Sequence, residues 1–162
     1  MSEYPSITKF MATKLITFSP ETDIRDAIHT MLRRKISGAP VLNGKGDLVG
    51  MLSEVDCLKI LIRGPYADEP TDMGTVADFM SSNVTIIGAD KTILDAAYQF
   101  VNSGLKRLPV VQNGKLIGQI SRVDVLRAIE KVKPAIKHTP DSWRGRVPFL
   151  PRHKRTRYTE NS

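Results

Sequence analysis

Cysteine is almost absent from these 162 residues: Cys57 stands alone, so no internal disulfide can form. Nothing argues for an oxidising compartment, and Cys57 reads as a small buried hydrophobe on a helix. No run reaches the roughly 18 apolar residues that a membrane span requires, so no span is expected. The opening residues, MSEYPSITKFMATK, lack the apolar core of a signal peptide, and the expected compartment is the cytoplasm. Catalytic signatures are missing too. There is no Walker loop, no Gly-x-Ser-x-Gly and no Gly-rich dinucleotide fingerprint. His29, His138 and His153 are scattered along the chain. No enzyme and no metal site are expected.

What the sequence does have is unevenly placed charge. The net charge of +7 comes from 24 basic and 17 acidic residues. Residues 1 to 130 hold 15 of each sign, whereas residues 131 to 162 hold nine basic and two acidic residues, 9 − 2 = +7. The body is neutral and the excess lies in the tail, so the function of the body is not to be read from the overall charge.

The sequence also repeats itself. Shifted by 69 residues, Phe10-Met11 falls on Phe79-Met80, Ile24 on Ile93, Asp26-Ala27 on Asp95-Ala96 and Pro40-Val41 on Pro109-Val110. Beyond the turn at NGKGD, residues 43 to 47, the shift becomes 68, and Gly50, Ser53, Val55 and Asp56 fall on Gly118, Ser121, Val123 and Asp124. A one-residue change of turn length is what a duplicated fold tolerates best.

Each copy predicts the same elements. A short apolar strand comes first, KLITF at 14 to 18 and VTII at 84 to 87. An amphipathic helix follows, with Ile24, Ala27, Ile28, Met31 and Leu32 spaced three and four apart, matched by Ile93, Ala96, Ala97, Phe100 and Val101. Asn43-Gly44 and Asn113-Gly114 then offer the positive φ angles of a tight hairpin turn. A last helix begins at Ser53 or Ser121. The order is β-α-β-β-α, twice, an α/β (α+β) fold. Sheets this small expose too much apolar surface alone, so the copies should pack face to face. The expected divisions are a first repeat over 6–62, a linker over 63–74, a second repeat over 75–131 and a tail over 132–162.

Gly-x-x-Ser-x-x-Asp carries the chemistry. A helix start leaves backbone N–H groups unpaired and the positive dipole end exposed, which suits a phosphate. An ionised Asp one turn on can accept from both hydroxyls of a ribose. The competing role for Ser-x-x-Asp is a capping box.

The FM element before strand one, SGAPV and KRLPV at strand two, and the duplicated Gly-x-x-Ser-x-x-Asp together resemble the CBS domain. The pair resembles a Bateman module, the tandem arrangement that binds adenine nucleotides. The resemblance implies composite clefts. In one, Ser53 and Asp56 share a site with Thr75, Met80, Lys106, Arg107 and Leu108 of the second repeat. In the other, Ser121, Arg122 and Asp124 face Ser6, Met11, Ser37, Gly38 and Ala39 of the first. It implies AMP, ADP or ATP as ligand, an S-adenosyl compound being a further option, and no metal. It also implies a two-fold homodimer. Leu58, Ile60, Leu61 and Ile62, beyond one narrow stripe, are apolar residues that a second copy would cover. The expected function is regulatory: sensing an adenine nucleotide and passing the change to an unidentified protein partner.

The alternative is a nucleic-acid-binding adaptor. The tail mixes its basic residues with Trp143, Phe149 and Tyr158, a composition suited to phosphate backbones and base stacking. Its apolar half, SWRGRVPFLP, is expected to dock on the body and leave RHKRTRY exposed.

Overall fold

The helical periodicity of each repeat is realised in the computed structural model, which describes residues 4–63 and 73–132. Most of the expected linker and the basic tail, with its docking segment and Trp143, lie outside the described residues. Helix α1 (Ile24–Arg34) buries Ile24, Ala27 and Met31, and α4 (Ile93–Ser103) buries Ile93, Ala96 and Phe100 at the matching positions. The stripe is narrower than the periodicity suggests: Leu32 and Val101 are 74% and 66% exposed. Asp23 caps α1 by accepting from the Arg25 N–H at 2.7 Å, and Thr92 with Asp95 caps α4. Both helices end in the left-handed region, on Lys35 (φ 53°) and on Gly104 (φ 69°).

Between the two helices of each copy runs a hairpin. In the first, β1 (Gly38–Leu42) pairs antiparallel with β2 (Leu48–Ser53), and α2 (Glu54–Arg63) follows directly. In the second, β4 (Arg107–Gln112) pairs with β5 (Lys115–Ser121), followed by α5 (Arg122–Lys131). The two turns differ. Asn113 and Gly114 both take positive φ, 51° and 74°, as the Asn-Gly pattern predicts. The longer first turn takes its positive φ at Gly46 (81°) instead. There the Asn43 side chain accepts from the Lys45 and Asp47 N–H groups, each at 2.9 Å, an Asx turn that absorbs the extra residue.

The expected first strands are nearly absent. Of residues 14 to 18 only Phe18 joins the sheet, through a parallel bridge to Val41. In the second copy the strand is the pair Ile87–Gly88 (β3), parallel to Val110 and Val111, rather than 84 to 87. The preceding residues, Asn83, Val84 and Thr85, line a cleft instead of a ladder.

The two copies are interleaved. The 3-10 turn Ile7–Lys9 of the first copy packs into the core of the second, where Ile7 is fully buried among Ile93, Phe100, Leu108 and Ile120. Helix α3 (Val76–Phe79), from the second copy, buries Val76 and Phe79 in the core of the first. Backbone bonds fix the exchange symmetrically. Ala12 and Gln119 bond each other in both directions at 2.8 and 2.9 Å, and Ser81 and Met51 do so at 2.9 Å each. Ser6 bridges Thr92 as Thr75 bridges Asp23. Each core is therefore completed by the other copy, the physical reason neither small sheet stands alone.

Candidate functional site

Gly-x-x-Ser-x-x-Asp forms the same structure in both copies. Asp56 Oδ2 accepts from the Ser53 N–H and hydroxyl, both at 2.9 Å, and the Asp56 N–H donates back to Ser53 Oγ at 3.2 Å. Asp124 and Ser121 repeat this at 2.8, 2.9 and 3.3 Å. The capping-box role is thus filled. The carboxylates are 8% and 9% exposed as residues, and their second oxygens meet Lys59 and Arg127, each at 3.0 Å. A carboxylate has about four acceptor positions, so after three such bonds each Oδ1 keeps one for another donor. The first N–H of each helix is also taken: Glu54 donates to the Ser37 carbonyl at 3.0 Å and Arg122 to that of Lys106 at 3.2 Å. This narrows the phosphate seat that the helix starts suggest.

The glycine opening the motif has a mate. A side chain at Gly118 would lie 2.6 Å from Met11 Sδ and 2.8 Å from the Ala12 carbonyl, and Gly50 faces Met80 and Ser81 in the same way. The FM element and the motif glycine are one contact, made between copies.

Two clefts flank the motif. The first, about 430 Å³, brings Ser53, Glu54 and Asp56 together with Lys106 and Arg107 of the other copy. Its remaining wall includes Met51, Ser81, Asn83, Val84 and Thr85. The second, about 710 Å³, brings Ser121 and Asp124 together with Ser37, Lys35 and Ala12. Its wall is apolar, with Ile28, Met31, Ile36, Cys57 and Leu58. Gln119 also lines it, and its Oε1 is buried with no hydrogen-bond partner among the described residues. Burial, reinforced by Asp56 and Glu54, raises the pKa of the Cys57 thiol, which keeps it protonated and unreactive.

Other expected site residues sit elsewhere. Thr75 starts α3, its N–H and hydroxyl both donated to Asp78 Oδ2 at 2.8 and 3.2 Å. Ser6 caps the 3-10 turn, its hydroxyl oxygen accepting from the Thr8 N–H at 3.2 Å. Met80 and Met11 lie against the motif glycines. Leu108 and Ala39 are core residues, each within a run of consecutive buried positions, 108 to 110 on β4 and 38 to 41 on β1. Gly38 lines the first cleft, not the second. Arg122 folds back within its own copy, donating to the carbonyls of Leu105 and Gly104 at 2.7 and 2.8 Å. Thr85 escaped the sequence reading because it sat in the expected strand over 84 to 87, and Asn83 because it immediately preceded that strand; two polar residues flanking Val84 were the available signal. Gln119 left no signal, since it falls on Met51 in the repeat.

Arg107 lies between the clefts. It donates to the Gly38 carbonyl at 2.9 Å and to Ser37 Oγ. Burial lowers its pKa, and the negative charge of Glu54 partly opposes that. No group of His, Cys, Asp and Glu that could hold a metal ion is found among the described residues, and none of their helices is long and apolar enough to cross a membrane.

Comparison with known proteins agrees with this geometry. The CBS domain family model matches residues 7–63 and 76–131. Protein MJ1426 of Methanocaldococcus jannaschii is 32% identical over 152 residues, covering 76% of this chain and 90% of that one. Protein MJ1225 of the same organism is 28% identical over 123 residues; the match covers 76% of this chain and 42% of MJ1225, so this chain spans less than half of it. Among solved structures, CBSX2 in complex with AMP, a protein of Arabidopsis thaliana, superposes with a TM-score of 0.71 at 30% identity, covering 80% of this chain and 98% of that one. Two matched copies, two motif caps and the exchanged FM elements make this chain a tandem CBS pair, a member of the CBS domain family.

Proposed function

We propose that the first cleft binds an adenine nucleotide and that the chain is a regulatory, non-catalytic module passing its occupancy to a protein partner. The observation that carries this is the meeting, in one cleft, of Ser53 and Asp56 from one copy with Lys106 and Arg107 from the other. A phosphate would lie toward the two cations. One ribose hydroxyl would donate to the remaining acceptor position of Asp56 Oδ1, since the bonds from Ser53 and Lys59 leave no place for both. Met51 and Val84 offer apolar contact for the base. AMP, held by the similar CBSX2, is the first ligand to test, with ADP, ATP and S-adenosyl compounds next. A ligand bridging two copies shifts their packing by its differential affinity for the two arrangements, and that is the signal a partner would read.

The second cleft, with Ser121 and Asp124, is proposed as a further nucleoside site. The test is calorimetry with AMP, alongside thermal melting. At one hundred times its dissociation constant the ligand should stabilise the protein by about 2.7 kcal/mol. Asp56→Ala and Asp124→Ala should each remove one site. Losing a helix cap costs about 0.5–2 kcal/mol by itself, so binding is compared on variants shown to be folded by circular dichroism. A folded double variant that binds AMP as the unaltered protein does would overturn the reading.

A further inference from the structure

We infer that Arg107 serves both clefts as a shared anion-binding group, so that a phosphate-bearing ligand in the first cleft weakens binding of a second such ligand in the other. The inference rests on the nucleotide reading above and adds a coupling between the sites.

The geometry is asymmetric where the copies are otherwise matched. The 69-residue shift places Lys106-Arg107 on Ser37-Gly38, so the first cleft has two cations where the second has a hydroxyl and a glycine. A side chain at Gly38 would lie 2.7 Å from the Leu52 carbonyl, a backbone atom, so the first copy has no room for an arginine there. The guanidinium of Arg107 reaches across to that position, donating to the Gly38 carbonyl and Ser37 Oγ. As a result Arg107 lines both clefts, as do Ser37 and Glu54. Lys35, exposed at the end of α1, is the other cation lining the second cleft.

The hydrogen-bond partners of Arg107 in this arrangement are neutral, a carbonyl and a hydroxyl, and Glu54 acts on it through its charge without such a bond. A phosphate is a stronger acceptor for guanidinium than either. Bound in the first cleft, it would draw Arg107 away from Ser37 and Gly38, and the second cleft would lose its guanidinium. Coupling of this kind is reciprocal. Adenosine, which has no phosphate, would leave Arg107 in place and bind without coupling.

The test is titration calorimetry of the full chain with AMP and with adenosine. AMP should bind in two steps, the second roughly tenfold or more weaker than the AMP affinity of the second cleft when the first is disabled by Asp56→Asn. Arg107→Met should weaken the first AMP step by roughly 10- to 100-fold and leave adenosine unchanged. The side-chain Nη resonances of Arg107 should shift with AMP well beyond any shift that adenosine causes, a readout independent of either variant's stability. If AMP binds and its second-step affinity is the same with and without Asp56→Asn, or if Arg107→Met leaves AMP affinity intact, the coupling is wrong while the nucleotide reading stands. If neither compound binds, both fall.

Discussion

Gly118 and its counterpart Gly50 show how much of this molecule rests on single atoms. Neither needs glycine for its φ angle; each needs it because the other copy's methionine and backbone press against it. At Gly118 the nearest backbone atom, the Ala12 carbonyl, would be 2.8 Å from an added methyl group, whereas at Gly50 the nearest, the Ser81 carbonyl, would be 3.1 Å away. A flexible methionine can yield, but a hydrogen-bonded strand segment yields less easily. Gly118→Ala is therefore expected to destabilise the protein by about 1–3 kcal/mol, and by more than Gly50→Ala. Urea denaturation checks this: a lower midpoint at unchanged slope is expected, and equal midpoints for the two variants would contradict it. At this scale the sequence reading marked the glycines, the Ser-Asp pairs and the FM dipeptides as separate signals. The family resemblance grouped Met80 with Ser53 and Asp56, and Met11 with Ser121 and Asp124, but that each methionine presses on the motif glycine was not legible, because residues about 30 and 107 positions apart share no local pattern.

At the scale of elements, the two copies solve one problem with different residues. Both first helices stop on a left-handed residue, but the first copy uses Lys35 where the second uses Gly104. A residue with a Cβ is held in the left-handed region at a cost of roughly 1–2 kcal/mol. Glycine removes that cost and loses some backbone entropy on folding. Lys35→Gly is thus expected to stabilise the fold by about 0.5–1 kcal/mol. A melting temperature at or below that of the unaltered protein would contradict this. The helices and hairpins were legible because 3.6-residue periodicity and turn chemistry are local. The first strands were misread because apolar KLITF and VTII satisfy a strand pattern without having a partner. Only Phe18 and Ile87–Gly88 reach a neighbouring strand, and residues 83 to 85 face a cleft instead.

At the scale of the molecule, the helices leave apolar surface uncovered. Leu32, Leu58, Leu61, Val101, Leu126 and Ile129 are exposed on α1, α2, α4 and α5. Both copies place such residues on matching helices, so a second chain could cover them with the same face. A homodimer through these helices is the proposed assembly. Light scattering should give twice the chain mass at micromolar concentration. Leu58→Glu combined with Leu126→Glu, both at exposed positions that should not disturb the core, should return it to the monomer. A monomer mass for the unaltered chain, with and without AMP, would remove the proposal.

The duplication, the order of helices and hairpins, the neutral body with its basic tail, and the Ser-x-x-Asp motifs were determined by sequence alone, because periodicity, composition and repetition are carried by neighbouring residues. Tertiary structure decided which copy completes which core. The local signals of the two copies are the same, so docking Met11 on Gly50 or on Gly118 reads identically from periodicity and spacing; the family resemblance implied the choice, and the packing of Ile7, Val76 and Phe79 across the copies makes it. Tertiary structure also turned Arg122 back into its own copy and set Arg107 between the clefts. A long cation goes where carbonyls and hydroxyls converge in space, and no spacing along the chain records that place.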